Sequence, residues 1–286
     1  MQKALINNVK VHYVRRGAGP DVVFIHGLGA NLAFWNLYIV PRLAQWFRTT
    51  SYDLRGHGLS DAPASGYGLE DLVSDLACLF DHLQLNCAHV VGHSFGAAVA
   101  LEFALAYPSR VRSLLLCDAV IPALHGLSRL VRRNRWSALG VSGQEARNQP
   151  HSDAPWLDYL FDALWANQQV PAGFGPLARP FRMWGGNGSR AEKRWRELLE
   201  NTTALTELAS KLPFSRHRLR NLDRPCLALY GELSRFRPIG RYLARWMPNC
   251  RLELIPAAGH FFPLAMPEIC LRHLDRFLKA NSTTAP

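Results

Sequence analysis

Over the first 120 residues, short apolar runs alternate with stretches whose apolar positions recur at helical spacing. A strand covered on both faces by helices has no polar face to show, so it reads as a continuous apolar run. The alternation therefore predicts a parallel sheet wrapped in helices. Residues 21–27 (DVVFIHG), 47–56 (FRTTSYDLRG), 88–94 (AHVVGHS) and 111–119 (VRSLLLCDA) read as strands. Residues 31–47, 69–85 and 95–108 read as helices, the second with acids in its first turn, where the helix dipole favours them.

The alternation stops near Val120 and resumes after Leu222 with strands at 225–231 (PCLALYG) and 251–256 (RLELIP) and a terminal amphipathic helix at about 266–280. The intervening stretch is helical in tendency and rich in Arg and Trp. A helical cap at 121–222, inserted into one core made of 1–120 and 223–286, explains this better than a linker between independent domains.

Apolar residues are 48% of the 286 and charged residues 19%, which excludes disordered and coiled-coil compositions. The first residues show no secretory signal pattern, and no apolar run reaches the ~18 residues needed to span a bilayer. A cytoplasmic protein is expected, with Cys78, Cys87, Cys117, Cys226, Cys250 and Cys270 as reduced thiols. The net charge is +11, and residues 121–220 hold fifteen Lys and Arg against eight Asp and Glu. Such a surface can attract nucleic acid, anionic lipid, an acidic carrier protein or an anionic substrate, or is simply solvated. No nucleic-acid motif accompanies it, and neither a cofactor nor a metal is implied.

Gly92-His93-Ser94-Phe95-Gly96 fits G-x-S-x-G between a buried strand and a helix. In that context a tight turn presents the serine hydroxyl as a nucleophile, above the first backbone N–H groups of the helix. His26-Gly27-Leu28-Gly29 follows the first strong strand, where Leu28 would supply one oxyanion N–H and Phe95 the other. His260, after RLELIP, is the candidate base. His26 and His57 read as structural histidines in loop motifs, and the tight turn should aim His93 away from the reaction.

The segments HGLGA, DLRGHGLSD, GHSFGA and AGHFFPLAMPE, in this order, resemble the α/β-hydrolase superfamily. The resemblance implies an eight-stranded, mostly parallel α/β sheet, a cap after the sixth strand, Ser94 as nucleophile and His260 as base. It also implies an Asp after the seventh strand to complete the triad, but that position holds Ser234. A serine cannot supply the fixed charge that orients the imidazole. Two carboxylates compete for the role: Asp118 at the end of the sixth strand, and Glu232 in the seventh-strand turn.

A serine hydrolase acting on a carboxylic ester is the expected function. The alternatives are a thioesterase for carrier-bound or coenzyme A acyl groups, a C–C bond hydrolase, and a non-catalytic receptor on the same scaffold. Trp136, Trp156, Trp165, Trp184, Trp195, Phe161, Phe174 and Phe181 are candidate pocket aromatics, and Arg182 and Arg235 candidate partners for a substrate anion.

Overall fold

The computed structural model describes residues 2–124, 190–209 and 215–282. Eight strands form one sheet: β1 (Gln2–Ile6), β2 (Val9–Arg16), β3 (Asp21–Ile25), β4 (Arg48–Tyr52), β5 (Ala88–His93), β6 (Val111–Cys117), β7 (Cys226–Gly231) and β8 (Cys250–Ile255). Their spatial order is β1-β2-β4-β3-β5-β6-β7-β8. Strands β3 to β8 pair in parallel, and β1 and β2 add an antiparallel edge.

The continuous apolar strands are explained by two cores, one on each face. Val23, Ile25, Val90, Leu114, Leu116 and Ala228 point into one, with α3 (Leu69–His82) and α4 (Phe95–Ala106). Val22, Phe24, Val91, Leu115, Leu227 and Leu229 point into the other, alternating residue by residue with the first set. That second core includes Trp35 and residues of α2 (Ile39–Leu43) and of the terminal helix α10 (Pro267–Ala280).

The single helix expected at 31–47 is instead two short ones, α1 (Ala33–Asn36) and α2. Pro41 has no N–H to bond the carbonyl one turn back at Leu37, so the ladder breaks there. Three further elements lie outside the sequence reading. The β1–β2 hairpin turns at Asn7-Asn8, both with positive φ (48° and 61°), the conformation that a two-residue hairpin favours and that Asn tolerates. Helix α8 (Arg237–Trp246) joins β7 to β8, and a short α9 (Phe262–Ala265) precedes α10.

Of the proposed cap, the described residues include α5 (Arg190–Asn201), α6 (Ala204–Ala209) and α7 (Arg216–Arg220). Trp195 of α5 is buried with its ring 5.4 Å from that of His57. Trp136, Trp156, Trp165, Trp184, Phe161, Phe174, Phe181 and Arg182 lie outside the described residues. Among the described residues no helix is long and apolar enough to cross a membrane, and all six cysteines are free thiols.

One buried ion pair ties the loop after β4 to α3. Arg55 Nε donates to Asp75 Oδ2 at 2.7 Å, Arg55 Nη2 to Asp75 Oδ1, and Arg55 Nη1 to the Gly66 carbonyl at 2.6 Å. Both side chains are almost wholly buried. Removing one partner strands a charge without water, so Asp75→Ala should cost about 3–5 kcal/mol in urea unfolding. The double replacement Arg55→Met/Asp75→Leu should recover much of that loss.

Candidate active site

The turn from β5 into α4 holds Ser94 at φ 56° and ψ −122°, outside the regions a residue with a Cβ prefers. Neighbouring strands over-determine this geometry. Ser94 N–H donates to the Cys117 carbonyl at 3.0 Å, and the Ser94 carbonyl accepts from Val120 N–H at 3.1 Å. The turn also needs Gly96, because a Cβ there would lie 2.3 Å from the His26 carbonyl oxygen. Gly27 has a similar role: a Cβ on it would sit 2.9 Å from Ser94 Cβ, so glycine lets the loop after β3 close against the serine. Leu28 and Phe95 are both buried beside this approach.

A hydrogen-bonded chain starts at the serine. His260 Nε2 lies 3.0 Å from Ser94 Oγ, and His260 Nδ1 lies 2.9 Å from Asp118 Oδ1. A carboxylate only accepts, so Nδ1 carries the proton and Nε2 keeps a lone pair for the serine hydroxyl. Asp118 Oδ2 accepts from Gly231 N–H at 2.9 Å, and Oδ1 accepts from the Ser234 hydroxyl. Ser234 Oγ in turn accepts from Phe236 N–H at 3.1 Å. Asp118 thus meets three donors at the junction of β6, β7 and the loop after β8.

Glu232 is not brought into this chain. Its carboxylate is exposed and accepts from Ala257 N–H at 3.1 Å, where it braces the turn after β8. The loops after β7 and β8 are joined by Glu232 N–H to the Ile255 carbonyl and Leu233 N–H to the Ala258 carbonyl, both at 2.9 Å. Arg235 is half-buried with its guanidinium over the Phe236 ring. The Phe236 ring also lies 5.0 Å from that of His260.

The other histidines make structural contacts. His26 Nε2 accepts from Leu54 N–H at 3.1 Å, and His57 Nδ1 lies 2.9 Å from the Arg55 carbonyl. The His93 contact escapes a sequence reading: Nε2 donates to the carbonyl of His260 at 3.0 Å. The His93 ring stacks on Phe34, with centroids 4.4 Å apart. His93 thereby anchors the main chain of the residue whose imidazole faces Ser94.

Burial keeps these rings neutral. Desolvation lowers His26, holds His57 and His89 at about 3, and pushes His93 well below the ordinary value with help from the neighbouring His260. In the unfolded chain each would titrate near 6.5. Acidification therefore protonates the unfolded state first, so stability is intact above about pH 6.5 and falls below it. The slope should approach ~1.4 kcal/mol per pH unit for each histidine. Melting temperatures measured from about pH 8 to about pH 5 should decline steeply, and the decline should be shallower in His89→Gln.

The sequence profile described as alpha/beta hydrolase fold matches residues 20–265. A relative from Mesorhizobium japonicum, 2-(acetamidomethylene)succinate hydrolase, is 28% identical over 280 residues, covering 96% of this chain and 94% of its own. The solved structure of E-2-(acetamidomethylene)succinate hydrolase superposes with a TM-score of 0.66 at 26% identity, over 97% of this chain and 98% of that one. A 2-hydroxy-6-oxo-2,4-heptadienoate hydrolase from Pseudomonas putida is 39% identical over 107 residues, 36% of this chain and 39% of that protein.

Proposed function

The chain belongs to the alpha/beta hydrolase fold family, and from that premise we propose that it is a serine hydrolase cleaving a carboxylic ester or similarly activated acyl bond through an acyl-enzyme on Ser94. One observation supports this above the rest: the unbroken hydrogen-bonded chain from Asp118 through His260 to Ser94.

In this reading His260 Nε2 takes the serine proton as Ser94 Oγ bonds to the carbonyl carbon. The carbonyl oxygen becomes an oxyanion facing the backbone N–H groups of Leu28 and Phe95. Asp118 stabilises the imidazolium without taking its proton. The C–O bond to the leaving group breaks as His260 returns that proton to the departing oxygen. Water then attacks the acyl-enzyme by the same steps in reverse order of partners, releasing the acid and free Ser94. Ser234 occupies the position where the family places its acid, and as a donor to Asp118 it turns a missing carboxylate into a prop for a relocated one.

Labelling by a fluorophosphonate tests the reading, since the probe needs an activated serine but not the natural substrate. Wild type should label rapidly, Ser94→Ala not at all, Asp118→Asn about 10³–10⁴-fold more slowly, and Glu232→Gln at the wild-type rate. The exchange Asp118→Asn/Ser234→Asp should recover part of the loss by returning a carboxylate to the seventh-strand side. Labelling of wild type no faster than Ser94→Ala would favour the non-catalytic receptor.

A second reading narrows the substrate. A relative aligned over nearly its whole length is named for a succinate, which favours a carboxylate-bearing acyl compound over a neutral ester. Hydrolysis rates on matched esters with and without a free carboxylate should then differ by ~10-fold or more in kcat/KM, the size expected for one charge-assisted contact.

A further inference from the structure

One stretch late in the chain is dense in arginine. Residues 216–251 hold nine Arg against Asp223 and Glu232, a net +7 of the chain's +11, with no Lys among them. Helices α7 and α8, in this stretch, pack on each other. At the end of α8 three guanidinium carbons gather on one indole: those of Arg220, Arg216 and Arg245 lie 4.5, 4.9 and 5.5 Å from the Trp246 ring centroid. Arg216 Nε also donates to the Tyr242 hydroxyl at 3.0 Å.

Among the described residues none of Arg216, Arg220, Arg241 and Arg245 pairs with a carboxylate. Nearby acids are engaged elsewhere: Glu102 with Arg218, Asp223 with Asn249, and Glu253 with Arg251, His273 and Arg276. Arg216 and Arg220, like Arg241 and Arg245, stand one helical turn apart, where like charges repel. The indole's electron-rich face offsets part of that repulsion, and an external anion would relieve the rest. Beside the cluster runs an open groove of about 600 Å³ lined by Pro238, Arg241, Tyr242, Ala244, Arg245 and Leu252, apolar along its walls with two guanidiniums.

Phe236, before the first turn of α8, touches His260, whereas Trp246 ends the helix roughly 15 Å away at the amino ends of the strands. The cluster is therefore separate from the candidate active site. We propose that this face docks the protein onto an anionic phospholipid surface, with headgroup phosphates on Arg216, Arg220, Arg241 and Arg245 and the apolar part of a lipid against the groove. Arginine forks suit phosphate, and half-exposed Trp and Tyr rings suit the boundary between headgroups and acyl chains. A nucleic acid would want the Trp246 face for base stacking, but guanidiniums already lie over it. Docking here leaves the Ser94 end of the sheet facing away from the bilayer.

The test is co-sedimentation of the whole protein with phosphatidylglycerol–phosphatidylcholine vesicles and with phosphatidylcholine vesicles alone. Binding should need the anionic lipid, weaken with added salt, and fall roughly hundredfold in Arg216→Gln/Arg220→Gln/Arg245→Gln. That variant should keep the wild-type melting temperature and fluorophosphonate labelling rate, so a lost docking face is distinguishable from a failed fold or a failed hydrolase reading. Absence of binding to anionic vesicles overturns the proposal. So does unchanged binding in the triple variant, or tighter binding of a duplex DNA oligonucleotide that the same replacements abolish.

Discussion

A single carboxylate links the elements that meet at the candidate site. Asp118 follows β6 directly with a positive φ of 45°, a conformation that costs a non-glycine residue about 1–3 kcal/mol and persists only where its surroundings hold it. Three donors do so: Gly231 N–H from the end of β7, the Ser234 hydroxyl from the following turn, and His260 from the loop after β8. Its own N–H bonds the Leu229 carbonyl at 2.8 Å. The side chain is wholly buried, so each carboxylate oxygen must find a protein donor, and the loops converge to supply them.

The serine turn shows the same logic. Its backbone geometry is unfavourable in isolation, and it is held from both sides by Cys117 at the end of β6 and Val120 in the segment beyond it. The glycines at 27 and 96 remove the side chains that would otherwise keep the neighbouring loops apart. Ser94 and Asp118, the two non-glycine residues of the candidate site with positive φ, both sit just past the ends of parallel strands, and two alternating apolar cores beneath give the rigidity that maintains them. His93 extends that rigidity sideways by anchoring the His260 main chain through a neutral, buried ring.

Charge is arranged by a different rule. Buried ionisable groups near the core are matched: Arg55 faces Asp75, and Asp53 receives His12, Leu32 N–H and Leu59 N–H. At the far end of the sheet Arg216, Arg220 and Arg245 of α7 and α8 are left without carboxylate partners among the described residues, and gather on the Trp246 ring instead. Matching is compulsory where water is absent and optional where it is present. An unmatched cluster at the surface therefore carries no desolvation penalty of the kind that fixes the buried pairs.

The sheet's parallel strands, the helices after β5 and β8, and the serine turn were legible in the chain itself. Burial on both faces forces continuous apolar runs, and a strand-to-helix turn around Ser94 forces small neighbours; both demands act within a few residues. The edge hairpin left only its Asn7-Asn8 turn as a local signal, since an edge strand is half-solvated and its pattern is diluted. The choice between Asp118 and Glu232 could not be made locally. Asp118 lies 142 residues from His260 and 116 from Ser234, and only the alignment of β6, β7 and β8 brings the three side chains into one hydrogen-bonded group while Glu232 turns to Ala257. Residue types and their order along the chain were enough to name the family and the candidate residues; which carboxylate meets His260 depends on distances in space, which a one-dimensional pattern does not carry.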